Sequence, residues 1–331
     1  MQRRPVFALA LLLILLLIGL TVWGWVPPGI PAAGCAVQRN AAWISSDWTA
    51  EPASEVAVQR LTEDASRRQL RYLFPFATYV QADGLFSPSY SHAAEFVSQF
   101  RRFNRDTCLL AWIGVPLKMH GVLGVDGWVD LADRQARQEI ATFAAHLVEE
   151  AGFDGVHLDV ETVRDGDQNY LRLLDEVRVT LAPDRHLSVA SGYWVPATVN
   201  ALPIIGGYKW SASYYWQVGA RVDQVVAMTY DSLMPNLALY RTWMRGQVRG
   251  ITESLEETDV ELLIGLSVSQ EKTATHHPSA ENLSNGLAAM CAYLARGEHQ
   301  IDGVALYAAW EATAADWTLW DQWLTQPEQS E

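Results

Sequence analysis

The sequence predicts an α/β fold, an eight-stranded parallel β/α (TIM) barrel preceded by an N-terminal transmembrane anchor, and three observations carry that reading. Past residue 40, short apolar β-rich runs alternate with amphipathic helical patterns, the signature of repeated β-α units and a parallel sheet. Eight such runs can be read along the chain, which suits a closed barrel better than an open sheet. Ahead of them lies an uncharged apolar stretch from Val6 to Val26, about the 20 residues that a membrane-spanning helix needs.

Taken in order, Arg3 and Arg4 precede the apolar stretch and are expected to stay cytoplasmic, which places everything after Pro27 outside the cytoplasm. Residues 1–26 are read as a cytoplasmic tip and anchor, residues 27–39 as a linker, residues 40–326 as the barrel and residues 327–331 as a tail. The linker reading rests on Pro27-Pro28-Gly29-Ile30-Pro31. A cleaved signal segment and a secreted barrel are the alternative to an anchor. Ala32-Ala33-Gly34-Cys35 bears a faint likeness to a lipoprotein cleavage box, so lipidation of Cys35 stays open.

The strands are expected at Ala41 to Ser45, Leu70 to Phe76, Cys108 to Val115, Gly155 to Glu161, Leu187 to Gly192, Gln224 to Tyr230, Leu262 to Val268 and Gly303 to Ala309. The helix before the fourth strand is the clearest, with Ile140, Phe143, Ala144, Leu147, Val148 and Ala151 at helical spacing and Gly152 as its stop. Others are expected at His92 to Phe103, Gln168 to Leu181, Leu239 to Ser254, Ala280 to Arg296 and around Ala315 to Leu324. Long loops follow the strands at Gln81 to Tyr90, Lys118 to Ala132, Trp194 to Val222 and Glu271 to Asn282, so they gather at the C-terminal face, where barrel active sites are built. In the connection between strands five and six, Tyr208, Trp210, Tyr214, Tyr215 and Trp216 read equally as sugar-stacking platforms or as local packing.

Composition narrows the function. A formal net charge of −14 argues against nucleic acid, whose binders need a basic footprint. The three cysteines, Cys35, Cys108 and Cys291, are too few and scattered for a disulfide framework, and the core is expected not to depend on them. His276-His277 lacks acidic partners at ligand spacing, and no metal or other cofactor is expected.

The run Gly155-Val156-His157-Leu158-Asp159-Val160-Glu161 is the anomaly that points to chemistry. Period-2 alternation sends Val156, Leu158 and Val160 to one face and His157, Asp159 and Glu161 to the other, so two carboxylates and an imidazole share one wall. A carboxyl at the open end of an inward strand, beside a second carboxylate, is a candidate acid with a raised pKa.

Asp154-Gly155-Val156-His157-Leu158-Asp159-Val160-Glu161 resembles the Asp-Gly-x-Asp-x-Asp-x-Glu signature of glycoside hydrolase family 18, the chitinase-like barrels. Met228-Thr229-Tyr230-Asp231 resembles that family's Met-x-Tyr-Asp at the sixth strand, and Gly303-Val304-Ala305-Leu306-Tyr307 resembles its eighth. The resemblance implies substrate-assisted hydrolysis of β-linked N-acetylglucosamine-containing glycans, in which the acetamido group of the substrate is the nucleophile. Glu161 would then be the acid, Asp159 the partner of the acetamido group, and Tyr230 a hydrogen-bond donor to its oxygen. Asp154 and Asp231 would support them, and either Tyr307 or Trp310 would lie under the reacting sugar; Met228 and, from the aromatic cluster between strands five and six, Trp216 are further candidates for substrate contact.

The chain departs from the pattern in two places. His157 stands where the family has Asp, and it is expected to donate to Asp159 and to impose a histidine titration on activity. At the third strand, Ala111-Trp112-Ile113-Gly114-Val115 replaces the common Ser-x-Gly-Gly. The partners implied are an N-acetylated polysaccharide or oligosaccharide and, through the N-terminal segment, the cell membrane. A lectin-like barrel without turnover and a barrel glycosidase using a conventional carboxylate pair are the competing functions.

Overall fold

The computed structural model describes residues 35–118, 127–196, 199, 209–295, 297 and 301–325. The expected anchor, the first part of the linker and the 327–331 tail lie outside the described residues, as does Tyr208. Among the described residues no helix is long and apolar enough to cross a membrane.

All eight expected strands form: β1 (Asn40–Ile44), β2 (Leu70–Tyr79), β3 (Cys108–Pro116), β4 (Gly155–Glu161), β5 (His186–Ser191), β6 (Gln224–Met228), β7 (Glu261–Ser267) and β8 (Gly303–Tyr307). They pair in chain order, and β1 closes on β8 in parallel. The strand pleat sorts side chains into two cores. Trp43, Tyr72, Phe74, Leu110, Trp112, Val226 and Leu263 fill the barrel interior. Val156, Leu158, Ile113, Val225 and Leu266 face outward into the layer under the helices.

The helices are α1 (Asp47–Ala50), α2 (Glu55–Arg67), α3 (Ala93–Phe103), α4 (Arg134–Ala151), α5 (Gln168–Thr180), α6 (Ala212–Gly219), α7 (Leu237–Leu255), α8 (Leu283–Leu294) and α9 (Ala314–Leu324). Side-chain caps set several of their starts. The Asp133 carboxylate accepts from the Gln135 N–H at the head of α4, and Gly152, at φ 78°, ends that helix in the left-handed region that favours glycine. Asn282 accepts from the Asn285 N–H, so α8 begins at Leu283 and not at Ala280. The helix α2 escapes sequence reading because only Val58, Thr62 and Ala65 of its thirteen residues are buried. In the connection from β5 to β6, Trp210, Tyr214 and Tyr215 are 2%, 0% and 0% exposed, which decides between the two readings of that aromatic cluster in favour of packing.

A repeated device ties the N-terminal ends of the strands together. The Asp154 carboxylate accepts from Leu109 N–H, Asp223 from Leu187 N–H and Asp302 from Leu262 N–H, at 2.7, 2.7 and 2.9 Å. In each case the backbone N–H of the same Asp donates back to the same residue, and its carbonyl accepts from the residue before or at the start of the next strand, His186, Glu261 or Arg39. After two of the three Asp residues, the next residue is a glycine that lies against backbone. A Cβ on Gly155 would sit 2.0 Å from the His186 carbonyl oxygen, and one on Gly303 would sit 2.1 Å from that of Arg39. The Asp-Gly pair that opens the β4 motif is therefore architecture, and it recurs at Asp302-Gly303.

The cysteine expectation is corrected by the structure. Cys35 and Cys291 form a disulfide across a sequence separation of 256, with Cα atoms 5.3 Å apart. Sequence distance conceals a pair that barrel closure brings together, since α8 packs close to the point where the chain enters β1. The bond also engages the thiol that a lipid would need, and it makes residues 35–39 part of the barrel instead of a free linker: Cys35 is 7% exposed and Arg39 N–H donates to the Asp302 carbonyl at 3.1 Å. Cys35→Ser is expected to lower unfolding free energy by about 2–4 kcal/mol through a loosened unfolded state, measured as a shift in the denaturation midpoint. An unchanged midpoint in wild type with and without reductant would show that the bond does not stabilise the barrel.

Candidate active site

The inward face of β4 descends into the barrel as exposed Glu161, half-buried Asp159 and fully buried His157. The three side chains occupy different environments, and their chemistry differs accordingly.

Asp159 is held by Trp112, whose indole N–H donates to Oδ2 at 3.0 Å. Its other oxygen, Oδ1, is buried without a hydrogen-bond partner. A buried acceptor left unpaired costs of the order of 1–3 kcal/mol. Burial raises the Asp159 carboxyl to about 6, against the opposing effect of the Trp112 bond. Glu161, solvent-exposed but crowded at the barrel mouth, rises further, to about 8, chiefly through the Asp159 charge, then through partial desolvation by its neighbours and the Asp231 charge, with Lys209 pulling the other way. Near neutral pH the repulsion between the two carboxylates favours one shared proton on the pair.

His157 does not take the expected role. Its Nε2 accepts from the Trp43 indole N–H at 3.1 Å, and an indole nitrogen can only donate, so the ring proton is on Nδ1. Nδ1 lies 2.8 Å from Ser188 Oγ, which donates in turn to Gln224 Oε1 at 2.7 Å. Phe74 stacks on the ring at 4.1 Å between centroids. Burial in this aromatic sleeve pushes the imidazole down to about 3, so it stays neutral. The expected bond to Asp159 and the expected histidine titration are both replaced by a fixed spacer beneath the carboxylates.

Opposite β4, Tyr230 is 7% exposed and stacks on Tyr307 with centroids 4.8 Å apart and planes 7° apart. Burial, followed by the neighbouring Tyr307 and the surrounding carboxylates, raises the Tyr230 phenol well above its ordinary value, so it is a hydrogen-bond donor at any working pH. A Cβ at Gly265 would fall 2.8 Å from the Ala227 carbonyl oxygen and 3.2 Å from Tyr230 Cε1, which explains the glycine there. Met228 packs against the same inner aromatic cluster. The peptide bonds Glu161–Thr162 and Tyr307–Ala308, at the ends of β4 and β8, are cis.

Of the residues expected in the site, Asp159, Glu161, Met228, Tyr230 and Tyr307 converge at the barrel mouth, and Asp231 lies close enough for its charge to act on Glu161. Tyr307 faces the interior, with Trp43 and Trp112 edge-on to it at 5.7 and 6.5 Å, whereas Trp310 sits outside at the rim and is 48% exposed. Two residues are set apart. Asp154 belongs to the N-terminal tie and pairs with Arg101. Trp216 sits on α6, which returns the chain from the rim to the foot of β6, and it lines a cavity of about 570 Å³ with Arg39, His186 and Glu261 at the opposite end of the barrel.

Several residues of the mouth carry no signal in the sequence. Lys209 places its ammonium 3.7 Å over the Tyr193 ring, and burial lowers it to about 8 against the raising effect of Glu161. The Tyr193 hydroxyl lies 2.6 Å from both the Tyr230 and the Asp231 carbonyl oxygens and shares its one proton between them. Because Lys209 lowers the Glu161 pKa, Lys209→Met is expected to move the basic limb of a pH–rate profile upward by up to about one unit, a change of the order of 1 kcal/mol. A limb that moves down or stays fixed would remove Lys209 from the electrostatics of the acid. Beside the mouth, His276 meets Glu281 at 3.3 Å and Asp231 at 3.7 Å, giving His276 the acidic partners that sequence spacing hid. These three could hold a metal ion.

No family model matches the chain, and no curated protein matches it. Solved structures do. The spore cortex-lytic enzyme SleL of Bacillus cereus is similar at TM-score 0.57 and 15% identity, over 93% of this chain and 78% of that one. A chitinase from Chromobacterium violaceum is similar at TM-score 0.59 and 14% identity, over 88% and 100% of the two chains. A class V chitinase from Pseudomonas fluorescens is similar at 0.58 and 14%, over 87% and 99%. The chain therefore shares its β/α-barrel fold with these chitinases and the cortex-lytic enzyme.

Proposed function

We propose that this chain is an exported glycoside hydrolase that cleaves β-linked N-acetylglucosamine-containing glycans by substrate assistance, with its barrel held outside the cytoplasm by residues 1–26. The observation that carries the reading is the β4 carboxyl pair: an outer carboxyl whose pKa is raised chiefly by its neighbour's charge, and an inner carboxylate with one oxygen fixed by Trp112 and the other buried without a partner.

Glu161 gives its proton to the glycosidic oxygen as the bond to the anomeric carbon breaks. The acetamido oxygen of the same sugar closes on that carbon and forms an oxazolinium, whose N–H is received by Asp159 Oδ1. Tyr230 donates to the acetamido oxygen and holds it for attack, and Tyr307, stacked on Tyr230, floors the sugar. Glu161, now a carboxylate, takes a proton from the water that opens the ring, which restores the acid and retains the anomeric configuration. The Cys35–Cys291 bond supports an oxidising compartment for the barrel.

The test is incubation of the purified full chain with N-acetylglucosamine oligomers, peptidoglycan strands and N-glycans, followed by product analysis. Release of shorter N-acetylated products from at least one of them is expected. Saturable binding without products would make the chain a lectin-like barrel.

A further inference from the structure

Outside the carboxyl pair, the most organised cluster of ligating side chains is Asp231, His276 and Glu281, whose donor atoms all lie within 4.8 Å of one another. Glu281 comes from the segment before α8 and is fully buried. Its Oε2 accepts from Ser232 N–H at 3.1 Å and from Ser232 Oγ at 2.7 Å, which turns Oε1 inward, where it has no hydrogen bond. His276 is 3% exposed, and its Nε2 lies 3.1 Å from the Ser269 carbonyl oxygen. A carbonyl can only accept, so Nε2 carries the ring proton and Nδ1 of the neutral ring presents a lone pair. Nδ1 lies 3.3 Å from Glu281 Oε1 and 3.7 Å from Asp231 Oδ1. The 3.3 Å contact is an ion pair when the ring is protonated, and a bound cation would take the place of that proton.

The two separations from His276 are close to those around a tetrahedral ion, and the Asp231 and Glu281 oxygens lie within 4.8 Å of each other. Metal–nitrogen and metal–oxygen bonds of about 2.0–2.2 Å at tetrahedral angles place neighbouring donor atoms about 3.3–3.6 Å apart. The outer partners also match, because a ligating imidazole donates its second N–H to a carbonyl and a ligating carboxylate is itself hydrogen-bonded. The Asp231 side chain is 48% exposed, which leaves a path for entry and a vertex for water. We infer that Asp231, His276 and Glu281 form a site for one divalent transition cation of the zinc class, at the rim beside Tyr230. The inference is independent of the glycosidase reading. The competing arrangement is a protonated His276 shared by the two carboxylates, which needs no cation.

The test is calorimetric titration of Zn²⁺ into chelator-stripped full chain, with metal content measured after desalting and the melting temperature with and without the ion. One ion per chain and a raised melting temperature are expected. Glu281→Gln and His276→Ala should each abolish the uptake. Ser232→Ala keeps all three ligands but frees the Glu281 carboxylate, and it should weaken affinity by about 10- to 100-fold. His277→Ala should bind as wild type does. Absence of saturable uptake by folded wild type, or uptake that survives both ligand substitutions, would overturn the site and leave the imidazolium arrangement.

Discussion

Glu161→Gln is expected to lower kcat by about 10²- to 10⁴-fold, the range that general acid catalysis contributes, while glycan binding and the melting temperature stay close to those of wild type. The substitution keeps the size of the side chain and removes its proton. Glu161 is exposed at the end of β4, so neither the barrel core nor the strand ladder depends on its charge. With the proton gone, the leaving oxygen departs as an alkoxide, and substrates with good leaving groups such as aryl glycosides should lose much less activity than natural oligomers. That contrast separates loss of an acid from damage to the site. Equal losses on both substrate types, or a glutamine variant with near-native turnover, would place the acid elsewhere.

Asp159→Asn is the second large effect and differs in kind. The amide removes the negative charge facing the acetamido nitrogen, and kcat is expected to fall by about 10²- to 10³-fold, as for loss of one preorganised electrostatic contact. It also changes the pH profile with a determined sign. In wild type the acid limb is expected to follow Asp159, near 6, and the basic limb Glu161, near 8. The largest cause of the high Glu161 value is the Asp159 charge, so its removal lowers the Glu161 pKa and moves the basic limb of the residual activity to lower pH. The acid limb, which reported Asp159, should disappear. A basic limb that stays in place would show that the carboxyls do not communicate. No limb should come from His157, which is already neutral across this range.

The barrel is legible in the sequence because a parallel sheet buried on its outer face writes apolar runs at regular spacing, and all eight runs fall where strands form. Glu161 and Asp159 are legible for the opposite reason, since carboxylates on a buried strand contradict the pattern. The misread residues are those whose role depends on distant chain. His157 takes its partners from β1 and β5, 114 and 31 residues away, and no feature of its own strand announces Trp43 or Ser188. Asp154 reads as part of a catalytic motif until Asp223 and Asp302 are seen making the same backbone tie. Trp112 stands at the site of a departure from the family pattern and is the direct anchor of Asp159, yet an aromatic residue in a barrel strand carries no mark of that function. The Cys35–Cys291 bond and the pairing of His276 with Glu281 and Asp231 likewise arise from closure and loop packing.

In the proposed reaction the acetamido group of the substrate supplies the nucleophile while the β4 pair handles the proton and the charge. Its most direct test compares initial hydrolysis rates of matched β-linked glucosamine oligomers, one N-acetylated and one fully de-N-acetylated, by the purified full chain. The expected result is cleavage of the acetylated oligomer, with the β-anomer as first product by proton NMR, and a rate at least about 10³-fold lower on its deacetylated twin, in keeping with the advantage of an oriented intramolecular nucleophile. Comparable rates on the two oligomers would contradict the account and assign the reaction to a conventional carboxylate pair.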